Sequence, residues 1–170
     1  AWFSTTGQDP TVLLRLKEDY DGAEPAASSV SVLNLLMLQH LVPGDDRLAK
    51  AERTLGRLGP KIGATARAVP MMLCGLSAWH NGLSQVVVVG KSGTPETLAL
   101  KRELASHYLP FAVEIPVEPG ARQEAVAAHL GFVGAMTAPD GAAAYVCREF
   151  TCQRPVSRPE DLPAVLGSVA

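Results

Sequence analysis

Apolar positions recur at helical spacing in the first half of the chain and gather into short β-branched runs in the second. Val30, Val32, Leu33, Leu35, Leu36, Met37, Leu38 and Leu41 cover more than one helical face, which predicts a buried helix over Val30 to Leu41. Pro25 disfavours helix ahead of it, and Ser28 or Ser29 can accept a hydrogen bond from an orphan N–H at the helix start. Pro43, Gly44, Asp45 and Asp46 break the pattern. Leu48, Ala51, Leu55 and Leu58 then line one side of a second, amphipathic helix, with Lys50, Glu52, Arg53 and Arg57 opposite and an end near Gly59 and Pro60. A third helix begins at Pro70, a favourable first position, and stops at Asn81 and Gly82. Ahead of all three, Trp2, Phe3, Val12, Leu13 and Leu14 read as an irregular arm packed on a surface outside the chain.

The period then changes. Gln85 to Gly90 is a β-branched run ending in Gly and reads as a fully buried strand of a parallel sheet, with Thr94 to Tyr108 as the returning helix. Phe111 to Ile115 is the next strand, Pro116 to Gly120 a loop, Arg122 to Leu130 a helix, and Ala142 to Cys147 a third strand. Pro159 to Leu166 closes the chain as a short helix. The expected fold is mixed α+β and α/β: a helical segment over 1–82, then a small three-stranded, mostly parallel α/β layer over 83–170. The first helix is apolar nearly all round, and two neighbouring helices do not cover it. Self-association or poor solubility is the consequence, at roughly 25 cal/mol per Å² of uncovered apolar surface.

Composition narrows the classes. With 170 residues, 47% hydrophobic and a net charge of −2, the chain describes an ordinary globular protein, and its scattered cations form no basic, aromatic-interleaved stripe for nucleic acid. The longest apolar run falls short of the roughly 20 residues that span a bilayer, so no membrane segment is expected. Ala1, Trp2, Phe3 and Ser4 lack an initiator Met and a signal pattern, which reads as a cut inside a longer protein. Three cysteines suit a reducing compartment, and a cytoplasmic location is expected.

The candidate chemistry lies mainly ahead of the first helix, where Arg15, Lys17, Asp19, Asp21 and Glu24 crowd one polar loop at the mouth of a buried helix, a setting suited to oxygen-rich ligands. Asp19, Asp21 and Glu24 can supply paired carboxylates for acid and base work, and Arg15 and Lys17 can neutralise them in a purely structural cluster. Gly90-Lys91-Ser92-Gly93-Thr94 follows a strand and precedes a helix, which invites a phosphate loop. The spacing fails, because the position of the first P-loop Gly is Gln85 and no G-x-G-x-x-G is present, so an ordinary strand-to-helix turn is expected. Cys147 and Cys152 would lie about 16 Å apart in a continuous strand and can bond only if Arg148 to Thr151 turn the chain, so reduced thiols are expected. No second C-x-x-C or histidine pair completes a zinc site, and neither metal nor cofactor is expected. The four histidines are read as packing or surface residues, and Cys74 as core.

Two separated motifs carry a resemblance. Arg15-x-Lys17-x-x-x-Asp21-Gly22-Ala23-x-Pro25-x-x-x-Ser29-Val30 with Asn34-Leu35-Leu36, and Ala144-Tyr145-Val146-Cys147-x-x-x-x-Cys152-x-x-Pro155-Val156, resemble the C-terminal part of the thioredoxin-domain-containing proteins of the spermatogenesis-associated protein 20 type. This chain departs from that family's Pro-Ser-x-Asn-Ser at Ala26 and Ser28, losing a hydroxyl and an amide. The resemblance implies an N-terminal thioredoxin-like domain, then an α/α toroid similar to N-acylglucosamine 2-epimerases and six-hairpin glycosidases, then a small α/β tail. Residues 1–82 would be the last toroid helices, and the rest of the same protein would be their partner. A toroid cavity handling a carbohydrate-like molecule in an epimerase- or glycosidase-like way would make Arg15, Lys17, Asp21 and Glu24 substrate-binding candidates, the fragment alone being inactive. The alternative is a non-catalytic interaction scaffold of a redox protein, with Cys147 and Cys152 as redox candidates.

Overall fold

A computed structural model describes residues 1–42, 44, 46–149 and 151–167, which form two compact units, Ala1–Gly82 and Leu83–Ala170. Among the described residues there are six α-helices and one four-stranded mixed sheet, an α+β arrangement. No described helix is long and apolar enough to cross a membrane.

In the first unit, α1 spans Ala27–Leu41, α2 Arg47–Thr65 and α3 Pro70–Asn81. Neither Ser28 nor Ser29 caps α1. The helix starts at Ala27, three residues earlier than expected and after extended Ala26, and Ser28 Oγ instead accepts the Trp2 N–H at 3.1 Å. Burial of α1 is a stripe rather than a full circumference: Val32 and Leu36 are buried, while Leu38 is 46% exposed. Pro43 and Asp45 of the expected break lie outside the described residues. Asp46 precedes α2 in the left-handed region, and hydrogen bonding from Lys50, then Arg53, holds its carboxyl below the usual range. Pro60 does not end α2, which runs on to Thr65. The residue before it is Gly59, and with no Cβ there the clash that normally stops a helix before proline is reduced. Close approach of α1 and α3 depends on Gly75, where a Cβ would stand 2.9 Å from Val32 Cγ1.

The second unit runs β1 Ser84–Gly90, α4 Pro95–Ala105, β2 Ala112–Val117, α5 Ala121–Ala127, a 3-10 turn Gly131–Ala135, β3 Ala142–Arg148, β4 Thr151–Cys152, a 3-10 turn Pro159–Asp161 and α6 Leu162–Leu166. Strand order is β2-β1-β3-β4. Only β1 and β2 are parallel, with Val88 opposite Pro116; β3 runs antiparallel to β1, with Val86 opposite Val146, and β4 antiparallel to β3. The expectation of three mostly parallel strands is therefore corrected to four, mostly antiparallel. Helix length explains it. The seven residues of α5 rise only about 10 Å, whereas a seven-residue strand is about 23 Å long. The chain is not carried back to the start of the sheet after β2 and enters β3 from the opposite end. Pro116 and Val117, expected in a loop, extend β2.

Every residue of β1 is buried, as its unbroken apolar run requires. One face meets Leu100 and Leu104 of α4 and Leu162 and Leu166 of α6, each burial stabilising by about 2 kcal/mol.

Candidate functional site

The polar loop ahead of α1 does not converge on one hollow. Asp21 is 6% exposed and is consumed by backbone: Oδ1 accepts the Ala26 N–H at 2.8 Å, and Oδ2 accepts those of Met71 at 2.9 Å and Met72 at 3.2 Å. Its own N–H donates to Ala68 O at 2.9 Å. Pro70 has no N–H, so Met71 and Met72 present the first orphan donors of α3, and the carboxylate answers both the donors and the positive helix end.

Arg15 and Lys17 bring their cations to one aromatic side chain. Both cover Phe3, with the guanidinium carbon 4.0 Å and the ammonium 4.4 Å from the ring centroid. Arg15 Nη2 also donates to Thr5 O at 2.7 Å, and Ser4 N–H donates to Leu16 O at 2.8 Å, so residues 3–5 and 15–17 run side by side. Glu24 is exposed, and its carboxylate has no partner among the described residues; its carbonyl accepts the Gly22 N–H at 3.1 Å. Of the four sequence candidates, Arg15 and Lys17 come together, Asp21 is turned inward, and Glu24 stands apart.

An acid–base pair that sequence reasoning missed lies beside them. Asp19 Oδ1 meets Lys61 Nζ at 2.6 Å, and a cleft of about 290 Å³ is lined by Lys17, Glu18, Asp19, Arg57 and Lys61. The signal was the continuation of α2 beyond Pro60, which carries Lys61 to this position. Among the described residues no group of three or more His, Cys, Asp or Glu side chains could hold a metal ion.

Cys147 and Cys152 are joined as a disulfide, which corrects the expected reduced state. They face each other across the β3–β4 hairpin with Cα atoms 3.9 Å apart. The chain does turn between them, with Glu149 in the left-handed region at φ 49°, so the 16 Å separation of a continuous strand never arises. Phe150 lies outside the described residues. Cys147 is buried and Cys152 exposed. β4 is only two residues long, so the bridge adds to a tie otherwise made by its two strand pairs and by the flanking Gln153–Val146 and Val156–Ala144 backbone bonds. Reduction is expected to lower the stability of the second unit by about 2 kcal/mol, the loop-closure value for a ring this small. Urea unfolding with and without reductant measures it, and coincident curves would mean that the hairpin holds without the bond. Cys74, expected in the core, is a free and exposed cysteine: α3 buries the Met72, Gly75 and Ala78 stripe instead.

No protein-family model matches the chain, and no solved structure matches it significantly. Curated relatives do, among them these three. Over 154 residues, 90% of this chain, it is 34% identical to spermatogenesis-associated protein 20 of Homo sapiens and 33% identical to that of Rattus norvegicus. Over 161 residues it is 28% identical to an uncharacterized protein of Caenorhabditis elegans. The match occupies 20%, 19% and 22% of those proteins. The chain is thus homologous to part of spermatogenesis-associated protein 20 and spans about a fifth of its length.

Proposed function

We propose that this chain is the C-terminal part of a longer protein like spermatogenesis-associated protein 20, and that its helical unit is a non-catalytic scaffold docked on the rest of that polypeptide. The observation that carries this reading is the state of Asp21, whose two oxygens are spent on three backbone N–H groups. A buried carboxylate that accepts three backbone N–H groups joins two helix starts, and with one acceptor site left on Oδ1 it is built for structure more than for acid or base work. Docking on the remaining polypeptide, the toroid and thioredoxin-like portions in this reading, is supported by the arm. Leu13 is 99%, Leu14 72%, Leu16 58% and Tyr20 60% exposed, large apolar side chains set among charged ones as at an interaction surface, in a chain that matches about a fifth of its relatives' length.

The test is the association state. The isolated chain is expected to self-associate by light scattering and to bind a hydrophobic dye, and Leu13→Ser with Leu14→Ser to reduce both while leaving the melting temperature unchanged, since neither side chain is buried. A parent chain that is already monomeric and dye-silent sinks the docking reading. In the full-length protein the same pair of substitutions is expected to lower stability, because there the two leucines would be covered.

One observation favours a second reading, a cavity for a carbohydrate-like ligand in the full-length toroid. Lys17 lines the charged cleft with Asp19, Arg57 and Lys61, so binding groups would come from this set; Arg15, Asp21 and Glu24 do not line it, and in this reading they would contribute only through the rest of the toroid. Loss of sugar binding by the full-length protein on Asp19→Asn, without loss of stability, is the result that would select it. Thiol exchange with a thioredoxin-like portion would enter at Cys152, the exposed member of the bridge.

A further inference from the structure

The sheet unit contains a crevice that none of the preceding chemistry uses. It has a volume of about 470 Å³, within the range of roughly 300–1,000 Å³ typical of small-molecule pockets. It opens at the carboxyl ends of β1 and β2, the two parallel strands, where the chain leaves one toward α4 and the other toward α5. In open α/β sheets ligands settle at such strand ends. Its floor is apolar. Val88 of β1 is 4% exposed, and its register partner Pro116 is exposed, with α4 packed mainly on β1 and β3. Val126 of α5 forms the far wall.

The rim is polar and carries a net positive charge. Lys101 from α4 has no ion pair among the described residues, while Arg122 from α5 gives one nitrogen to Glu118 at 2.7 Å. A guanidinium has five N–H donors, so Arg122 keeps free donors after that contact. Two cations against one carboxylate leave one positive charge facing an apolar floor, with the Ser92 hydroxyl on the same rim. That combination selects a molecule with an anionic group at one end and a carbon skeleton at the other.

We propose that this crevice binds a small organic phosphate, its anionic group held between Lys101 and Arg122 and its carbon skeleton laid on Val88, Pro116 and Val126. The cradle differs from a P-loop, since the cations come from two helix surfaces and not from the Gly90–Thr94 turn. The proposal is independent of what the helical unit does.

Calorimetric titration of the whole chain with phenyl phosphate, inorganic phosphate and phenol tests it. Phenyl phosphate is expected to bind saturably and more tightly than either of the other two, because only it engages rim and floor together. Replacing Lys101 and Arg122 with Gln is expected to weaken it about tenfold or more, the order of one lost charge-assisted contact. Both side chains are exposed, so the fold is expected to survive, and either single variant carries the test should the double one misfold. Absence of saturable binding, equal affinity for phenol, or unchanged affinity in the Gln variants would overturn the proposal.

Discussion

Asp21→Ala is expected to lower the stability of the helical unit by about 3 kcal/mol, because it leaves three N–H groups without an acceptor and takes a negative charge from a helix start. The donors are Ala26 N–H ahead of α1 and Met71 and Met72 N–H in the first turn of α3, at 2.8, 2.9 and 3.2 Å. Hydrogen bonds to a charged acceptor contribute about 1.5–3 kcal/mol each, but three sharing one carboxylate are not additive. Asp21→Asn is expected to lose nearly as much. An amide keeps one acceptor oxygen and turns an NH₂ toward a donor, at either Ala26 or the α3 pair. By contrast, Glu24→Gln acts on an exposed side chain with no carboxylate partner among the described residues and is expected to stay within about 0.5 kcal/mol. Urea unfolding with an unchanged slope is the measurement. A loss below about 1 kcal/mol for Asp21→Ala would remove the structural role, and with it the main support for a scaffold.

The contrast between Asp21 and its neighbours shows what could be read in advance. Its place in a polar run ahead of a helix was legible. Its partners were not, because Met71 and Met72 lie 50 and 51 residues further on and no local pattern announces that pairing. Helix α1 was legible from its local apolar spacing and α3 from its Pro70 start and the stop at Asn81 and Gly82, where Gly82 takes φ 73° and ψ 172°, a positive-φ conformation open to glycine but not the left-handed cap. Gly59 and Pro60 misled because the pair reads as a stop, whereas a glycine ahead of the proline relieves the clash that would end the helix, and α2 continues to Thr65. The strand positions followed from β-branched and alanine runs, but the direction of β3 depends on whether α5 is long enough to return the chain, and only the fold shows that it is not. Two-residue β4 has no period to detect, and the Cys147–Cys152 bridge depends on the hairpin it helps to form.

Gly90→Ala is expected to cost the sheet unit about 3 kcal/mol, as much as a severe overpacking substitution. A Cβ at this position would fall 2.3 Å from Thr97 Oγ1, 3.0 Å from Ala142 Cβ and 3.3 Å from Gly141 O. The three obstacles differ in how far they can give. The Thr97 hydroxyl is 2 % exposed and 3.0 Å from Thr94 Oγ1, and rotating it away breaks that bond. Ala142 is fully buried on β3 beside Gly90, and its Cβ moves only with the strand. Thr97→Ala is therefore expected to recover roughly 1 kcal/mol in the Gly90→Ala background while destabilising the parent, a coupling that a double-mutant cycle reads directly. Full recovery would mean that Ala142 offers no resistance; no recovery would mean that the strain sits in the β1–β3 contact alone. The substitution also reaches the crevice. Thr97 and Lys101 lie one turn apart on α4, so a helix pushed outward at Thr97 carries the ammonium away from Arg122, and phenyl phosphate binding is expected to weaken in Gly90→Ala and return in part with Thr97→Ala. Unchanged binding in a destabilised Gly90→Ala would show that α4 yields without moving Lys101, and that the width of the crevice is set from the α5 side.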